Sequence, residues 1–190
     1  MDVRWEPASI YRETLPILLV SLCGGLFAGL VLEGLLASVA EYPGLLVMVP
    51  VFLATRGNVY GALGGQIASG LHQGLIEPRL QYDERLLNAA VASLLNGVGI
   101  SVVIGILTWL VLTVLPNWQP AALVQLVAIM FVAGLLTSVL MILGMLVLIF
   151  AGFERGYDPD NLVGPIVTTL GDIFGMVFLL ASVWLVGVVL

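Results

Sequence analysis

The chain has no lysine, one cysteine and one histidine, and only 9% of its 190 residues are charged. A soluble domain carries about 25% charged residues, so this composition excludes one and points to an integral membrane protein. Without lysine, six arginines face twelve acids, for a net charge of -6. That balance excludes the basic footprint of a nucleic-acid-binding protein. Cys23 has no intrachain partner for a disulfide, and in its apolar surroundings it reads as a small buried residue. His72 has no second histidine and no nearby cysteine to share a metal with, so it reads as a solvated or interfacial side chain.

What remains is overwhelmingly apolar. Hydrophobic residues make up 61% of the chain, and 22 glycines suit closely packed membrane helices. The pattern predicts an all-α integral membrane protein with five transmembrane helices, at about 15–40, 43–70, 86–114, 121–152 and 162–189. Ala37-Ser38-Val39-Ala40 resembles a signal-peptidase site, but the run before it is longer than the 7–15 residues of a signal sequence. It is therefore expected to stay as the first span, with Gly24, Gly25 and Gly29 packing tightly. In the second span Gly57, Gly61, Gly65 and Ser69 recur every fourth residue, a small face suited to close helix approach. Pro50 in that span permits a kink or a break. No charged residue occurs from Leu86 to Phe153, and Leu115-Pro116-Asn117-Trp118-Gln119-Pro120 divides that stretch into two spans. The scattered polar residues there (Asn96, Thr108, Gln125, Thr137, Ser138) read as helix-to-helix hydrogen bonders.

Five spans put the two termini on opposite sides. Arg4, Arg12, Arg79, Arg85 and Arg155 then all fall on one side, and the positive-inside rule makes it the cytoplasmic one. The expected topology is N-terminus in and C-terminus out, multi-pass in the cell membrane and in contact with lipid. Trp118, Tyr42 and Trp184 mark the outer boundary, and Tyr11, Tyr82 and Tyr157 the inner one. Glu33 and Glu41 lie toward the outer face, as ordinary boundary acids or as a lure for cations at an entrance.

The last span carries one acid, Asp172, within Gly-Pro-Ile-Val-Thr-Thr-Leu-Gly-Asp-Ile-Phe-Gly, residues 164–175. A carboxylate at that depth is costly and marks a protein interior or an ion path. On a helix, Pro165, Thr168 or Thr169, Asp172 and Gly175 or Met176 share one small, polar face. With Thr168 and Thr169 as further oxygen donors and no soft ligand nearby, the site suits a hard cation such as Mg²⁺ or Ca²⁺. One carboxylate per chain is a thin site for a divalent ion, and a two-fold axis would supply the second. A homodimer whose paired Asp172 carboxylates flank an axial pore is therefore expected. Arg56, in the second span, has three placements open to it: snorkelling to the cytoplasm, pairing with an acid such as Asp172, or facing a cavity.

Two segments carry a family resemblance. Pro50 to Asn58, ending in Arg-Gly-Asn, and Pro165 to Asp172, Pro-Ile-Val-Thr-Thr-Leu-Gly-Asp, stand in that order in a five-span chain. Together they resemble the membrane domain of the MgtE-type magnesium channels, and one half of the solute-carrier magnesium transporters of animals. The resemblance covers essentially the whole chain. It implies Mg²⁺ as the transported ion, with Mn²⁺ or Co²⁺ as other candidates. It also implies a homodimer with a pore lined by the second and fifth spans, Asp172 as the central ion site, and Asn58 beside the pore. Gly57, Arg56 and Gly175 are lining or gating candidates on the same basis. The chain departs from the MgtE-type channels in having no room for a large cytoplasmic sensing region. It also has Arg56 where the bacterial proteins have a small residue and the animal ones a lysine.

The expected function is thus a divalent-cation channel or transporter, not an enzyme. Leu170-Gly171-Asp172 is faintly like an aspartyl intramembrane protease, but a second membrane-embedded Asp is missing. Two other readings stand beside transport through a channel: a Na⁺- or H⁺-coupled Mg²⁺ exchanger, and a non-transporting accessory or scaffold subunit.

Overall fold

The computed structural model describes residues 7–190, with side chains for all of these but 7–10, 12–14 and 17. Asp2, Arg4 and Glu6, and the side chains of Arg12 and Glu13, lie outside the described residues. The described chain is all helical: α1 (Pro7–Leu36), α2 (Leu45–His72), α3 (Glu84–Val114), α4 (Leu123–Glu154) and α5 (Pro159–Val189). All five are long and apolar enough to cross a membrane. Helices satisfy their own backbone polar groups, which is what hydrocarbon demands.

Local chemistry sets several helix ends. Asp83 caps α3 by accepting from the backbone N–H groups of Arg85 (2.8 Å) and Leu86 (3.2 Å). Asp158 caps α5 by accepting from Asp160 N–H at 3.0 Å, and Pro159 takes the first helical position, where its missing N–H costs nothing. Gly44, before α2, has φ 108°, and a side chain there would collide with Leu112. The first helix ends at Leu36, so residues 37–40 are turns and not helix as expected. Pro50 and Pro165 do not break their helices: α2 and α5 run through them.

α5 packs against α1, α2 and α4, while α2 also touches α3 and α4. Among the described residues α1 touches only α5, so it stands at the edge of the bundle. That position corrects two expectations. Of the α1 glycines, Gly24 packs, against Thr169 and Ile173, but Gly25 and Gly29 face open space. Cys23 is exposed on the protomer and not buried.

The core has two parts. One, at the α1–α2 turn end, centres on Tyr42, Met48, Phe52, Ile129, Met130 and Leu179. The other, at the α2–α3 loop end, centres on Tyr60, Ile67, Met141, Met145, Ile149 and Val167. Between them lies a layer of small and polar residues: Arg56 from α2, Gly97 and Ser101 from α3, Gly134 and Ser138 from α4, and Gly171 from α5. Within α4 the hydroxyls of Thr137 and Ser138 donate to carbonyls of their own helix, Ala133 (2.7 Å) and Gly134 (2.6 Å). Gln125 accepts from Ala122 N–H at the start of α4. These polar groups therefore serve their own helix first, the cheapest way to satisfy a hydroxyl in an apolar bundle. Ser138 alone among them also takes a bond from another helix.

Candidate functional site

Asp172 sits near the middle of α5 and is half-buried. Among the described residues no basic group lies within ion-pair distance of it. The face of α5 read from helical periodicity is divided by the packing. Thr168 is exposed, and its hydroxyl donates to the carbonyls of Gly164 (3.1 Å) and Pro165 (3.2 Å) in its own helix. Thr169 turns the other way, and its hydroxyl is 2.8 Å from that of Ser21 on α1. Of the two threonines, Thr168 is the exposed one, a helical turn from Asp172, and Thr169 serves the α1–α5 contact.

The glycines of α5 divide in the same way. Gly164 faces open space. Gly171 is buried with Arg56 Cβ 3.5 Å from the position its own side chain would take. Gly175 is buried at the α2–α5 crossing, where a side chain would meet Leu53 at 2.9 Å. Gly175, a lining or gating candidate from the sequence, therefore lets α2 and α5 approach closely. Met176 is likewise buried in the core.

On α2, Gly57, Gly61 and Gly65 would each carry a side chain into open space, while Gly64 touches Met145 and Val163. The small face with four-residue spacing is therefore free of packing inside the protomer. Asn58, exposed beside it, overlooks a groove between α2 and α3 of about 620 Å³. Thr55, Gln66, Ser93 and Asn96 also line that groove. Asn96 thus lines an outward groove whose other walls, among them Val59, Leu95 and Val103, are largely apolar.

Arg56 takes neither the snorkelling nor the paired placement. It is fully buried in the bundle. Its Nη2 donates to the carbonyl of Gly97 (3.1 Å) and to Ser101 Oγ (2.7 Å), and its guanidinium lies 4.4 Å over the Phe52 ring. Tyr60, one turn along, also faces the guanidinium and donates to Ser138 Oγ at 2.6 Å. Nε and Nη1 of Arg56 have no hydrogen-bond partner among the described residues. This cradle of Tyr60, Gly97, Ser101 and Ser138 was not singled out by the sequence reading. A signal existed: Gly97 with Ser101 and Gly134 with Ser138 are small pairs four apart on neighbouring helices, and small residues leave room for a long side chain.

The ends of α2 and α5 also meet. His72 Nε2 is 3.6 Å from an Asp158 oxygen, and Nδ1 is 3.7 Å from an Asp160 oxygen. The sequence reading looked for histidine or cysteine partners and so missed these two acids. All three side chains are exposed, and each imidazole nitrogen faces a different carboxylate.

No curated protein matches the chain. A model of the MgtE family, described as a divalent cation transporter, matches residues 49–182. The matched stretch runs from α2 through α5 and contains Arg56, Asn58, Thr168 and Asp172. With most of its length matched, the chain belongs to the MgtE family of divalent cation transporters.

Proposed function

We propose that the protein moves Mg²⁺ across the cell membrane as a homodimer, with the ion passing between two Asp172 carboxylates at the dimer axis. The single domain of five spans would lie with its N-terminus in the cytoplasm, as the loop arginines suggest. The observation that carries this reading is Asp172 itself. It is a half-buried carboxylate without an ion-pair partner among the described residues, in the middle of an apolar helix. Such a group needs a counter-charge or water, and a cation on a hydrated path supplies both. The unpacked glycine face of α2, on a helix in contact with α5, supports a close partner or a path beside it.

In this reading Mg²⁺, which dehydrates reluctantly, would cross partly hydrated. Two carboxylates would supply its charge balance, while Thr168 Oγ1 and Asn58 Oδ1 would accept hydrogen bonds from its water shell. Gly57 and its neighbours would let the water shell approach the backbone. Thr169 is a weaker candidate than Thr168, because its hydroxyl is already shared with Ser21.

The test is Mg²⁺ flux into proteoliposomes holding the purified full chain. Asp172→Asn should abolish it, and Asp172→Glu should retain a part. Normal flux through Asp172→Asn would end the reading of Asp172 as the ion site, and no flux through the wild type would leave the accessory-subunit alternative. Repeating the wild-type measurement with and without Na⁺ and H⁺ gradients separates a channel from a coupled exchanger.

A further inference from the structure

Among the described residues, the middle of the bundle holds a cation with no counter-charge beside it. Arg56 is fully buried, and Nε and Nη1 have no partner. Its Nη2 is met only by the neutral oxygens of Gly97 and Ser101, and its guanidinium faces the rings of Phe52 and Tyr60. A guanidinium taken out of water is costly unless an anion or a full set of acceptors replaces the water. The cradle is an incomplete replacement, so this position is a weakly held one.

The acids elsewhere in the described residues stand near helix ends: Glu33 and Glu41 at one end, and Glu77, Glu84, Asp158 and Asp160 among those at the other. Asp172 alone lies in the middle of the helices. The root of the Arg56 side chain lies against α5 at the residue that precedes this acid, Gly171. Arg56 Cβ is 3.5 Å from where Gly171 would carry a side chain, and Asp172 is the next residue. Because Gly171 is a glycine, it places no side chain between the Arg56 stem and α5. A long, flexible arginine rooted there has one neutral cradle on α3 and one carboxylate on α5 to choose between.

We propose that Arg56 is a tethered competitor for the ion site. With no divalent cation at Asp172, its guanidinium turns from Gly97 and Ser101 to the Asp172 carboxylate; an arriving cation displaces it back into the cradle. The proposal rests on the reading of Asp172 as the cation site. It gives the carboxylate a partner when empty. It also weakens ion binding, because each ion must first displace the guanidinium, and weak binding favours release on the far side. The conformation described above, with Arg56 in the cradle, is the one that leaves the carboxylate free to take an ion. If the guanidinium holds the carboxylate in roughly nine empty sites of ten, the apparent affinity is about tenfold below the intrinsic one.

The experiment is Mn²⁺ binding to the full chain in lipid nanodiscs, followed by electron paramagnetic resonance, with Mg²⁺ as competitor. Arg56→Gln should tighten binding about tenfold, Arg56→Lys should stay near wild type, and Asp172→Asn should lose binding. If Asp172→Asn binds Mn²⁺ as the wild type does, the ion-site reading fails and takes this proposal with it. If Asp172→Asn loses binding but Arg56→Gln binds no more tightly than wild type, the competition alone is overturned. A second measurement needs no neutral variant at Arg56. The ¹⁵Nε–H resonance of Arg56 in the wild-type protein, assigned by its absence in Arg56→Lys, should move when Mg²⁺ saturates the site. An unmoved resonance overturns the competition.

Discussion

The hydroxyls of Thr169 and Ser21 lie 2.8 Å apart and tie α5 to α1, one residue along from a threonine that faces outward. Adjacent, chemically identical side chains thus have different surroundings. Thr169→Val should loosen the α1–α5 contact by about 1 kcal/mol, the worth of one hydrogen bond, and leave Mg²⁺ flux close to wild type. Thr168→Val should keep the thermal midpoint and lower flux several-fold. Paired unfolding and proteoliposome measurements check both, and the reverse pattern would show that Thr169 serves the ion.

The unpacked face of α2 predicts where a second copy sits. In a Cys23→Ser background, Gly61→Cys or Gly65→Cys should form a disulfide-linked dimer under mild oxidation. Gly64→Cys should not, because Gly64 is enclosed by Met145 and Val163. Gel mobility with and without reductant reads the result. Equal cross-linking at Gly64 and Gly61 would mean that the reaction reports collision and not an interface.

The Arg56 cradle predicts a contrast between two glycines of α3. A side chain on Gly97 would run into the Tyr60 hydroxyl and Ser138 Oγ, whereas one on Gly99 would meet nothing. Gly97→Ala should therefore cost about 1–3 kcal/mol, as overpacking does. Gly99→Ala should be neutral or slightly stabilising, since alanine is the better helix former by about 1 kcal/mol. Thermal unfolding in one detergent compares the two.

At the α2–α5 ends, the His72 contacts with Asp158 and Asp160 are exposed, so His72→Ala should cost less than about 1 kcal/mol. Asp158→Ala should cost more than Asp160→Ala, by about 1 kcal/mol, because Asp158 also accepts the Asp160 N–H that caps α5. Equal costs for the two aspartates would show that the cap contributes nothing.

Composition and hydropathy were enough to set the class of the molecule. Five long apolar stretches and a charge content of 9% leave no other way to satisfy the backbone than membrane-length helices. The sequence also singled out Asp172 and Arg56, because charges are so rare in such stretches that each stands out against its neighbours. Pro50 to Asn58 and Pro165 to Asp172 pointed to the family that the match over residues 49–182 shows. Helical periodicity further placed Gly57, Gly61 and Gly65 on one face.

What each face meets depends on how the helices pack. Periodicity states which residues are neighbours on one helix, but not which other helix lies opposite them. Thr168 and Thr169 are one residue apart, about 100° around the helix, and the position of α1 alone sends one hydroxyl to Ser21 and leaves the other outward. Gly175 looked like part of the polar face until α2 crossed it at Leu53. Arg56 could have reached an acid or a surface. It was instead drawn toward α3 by the space that Gly97, Ser101 and Gly134 leave between helices far apart in sequence. Packing in three dimensions makes that space, and no one-helix pattern contains it.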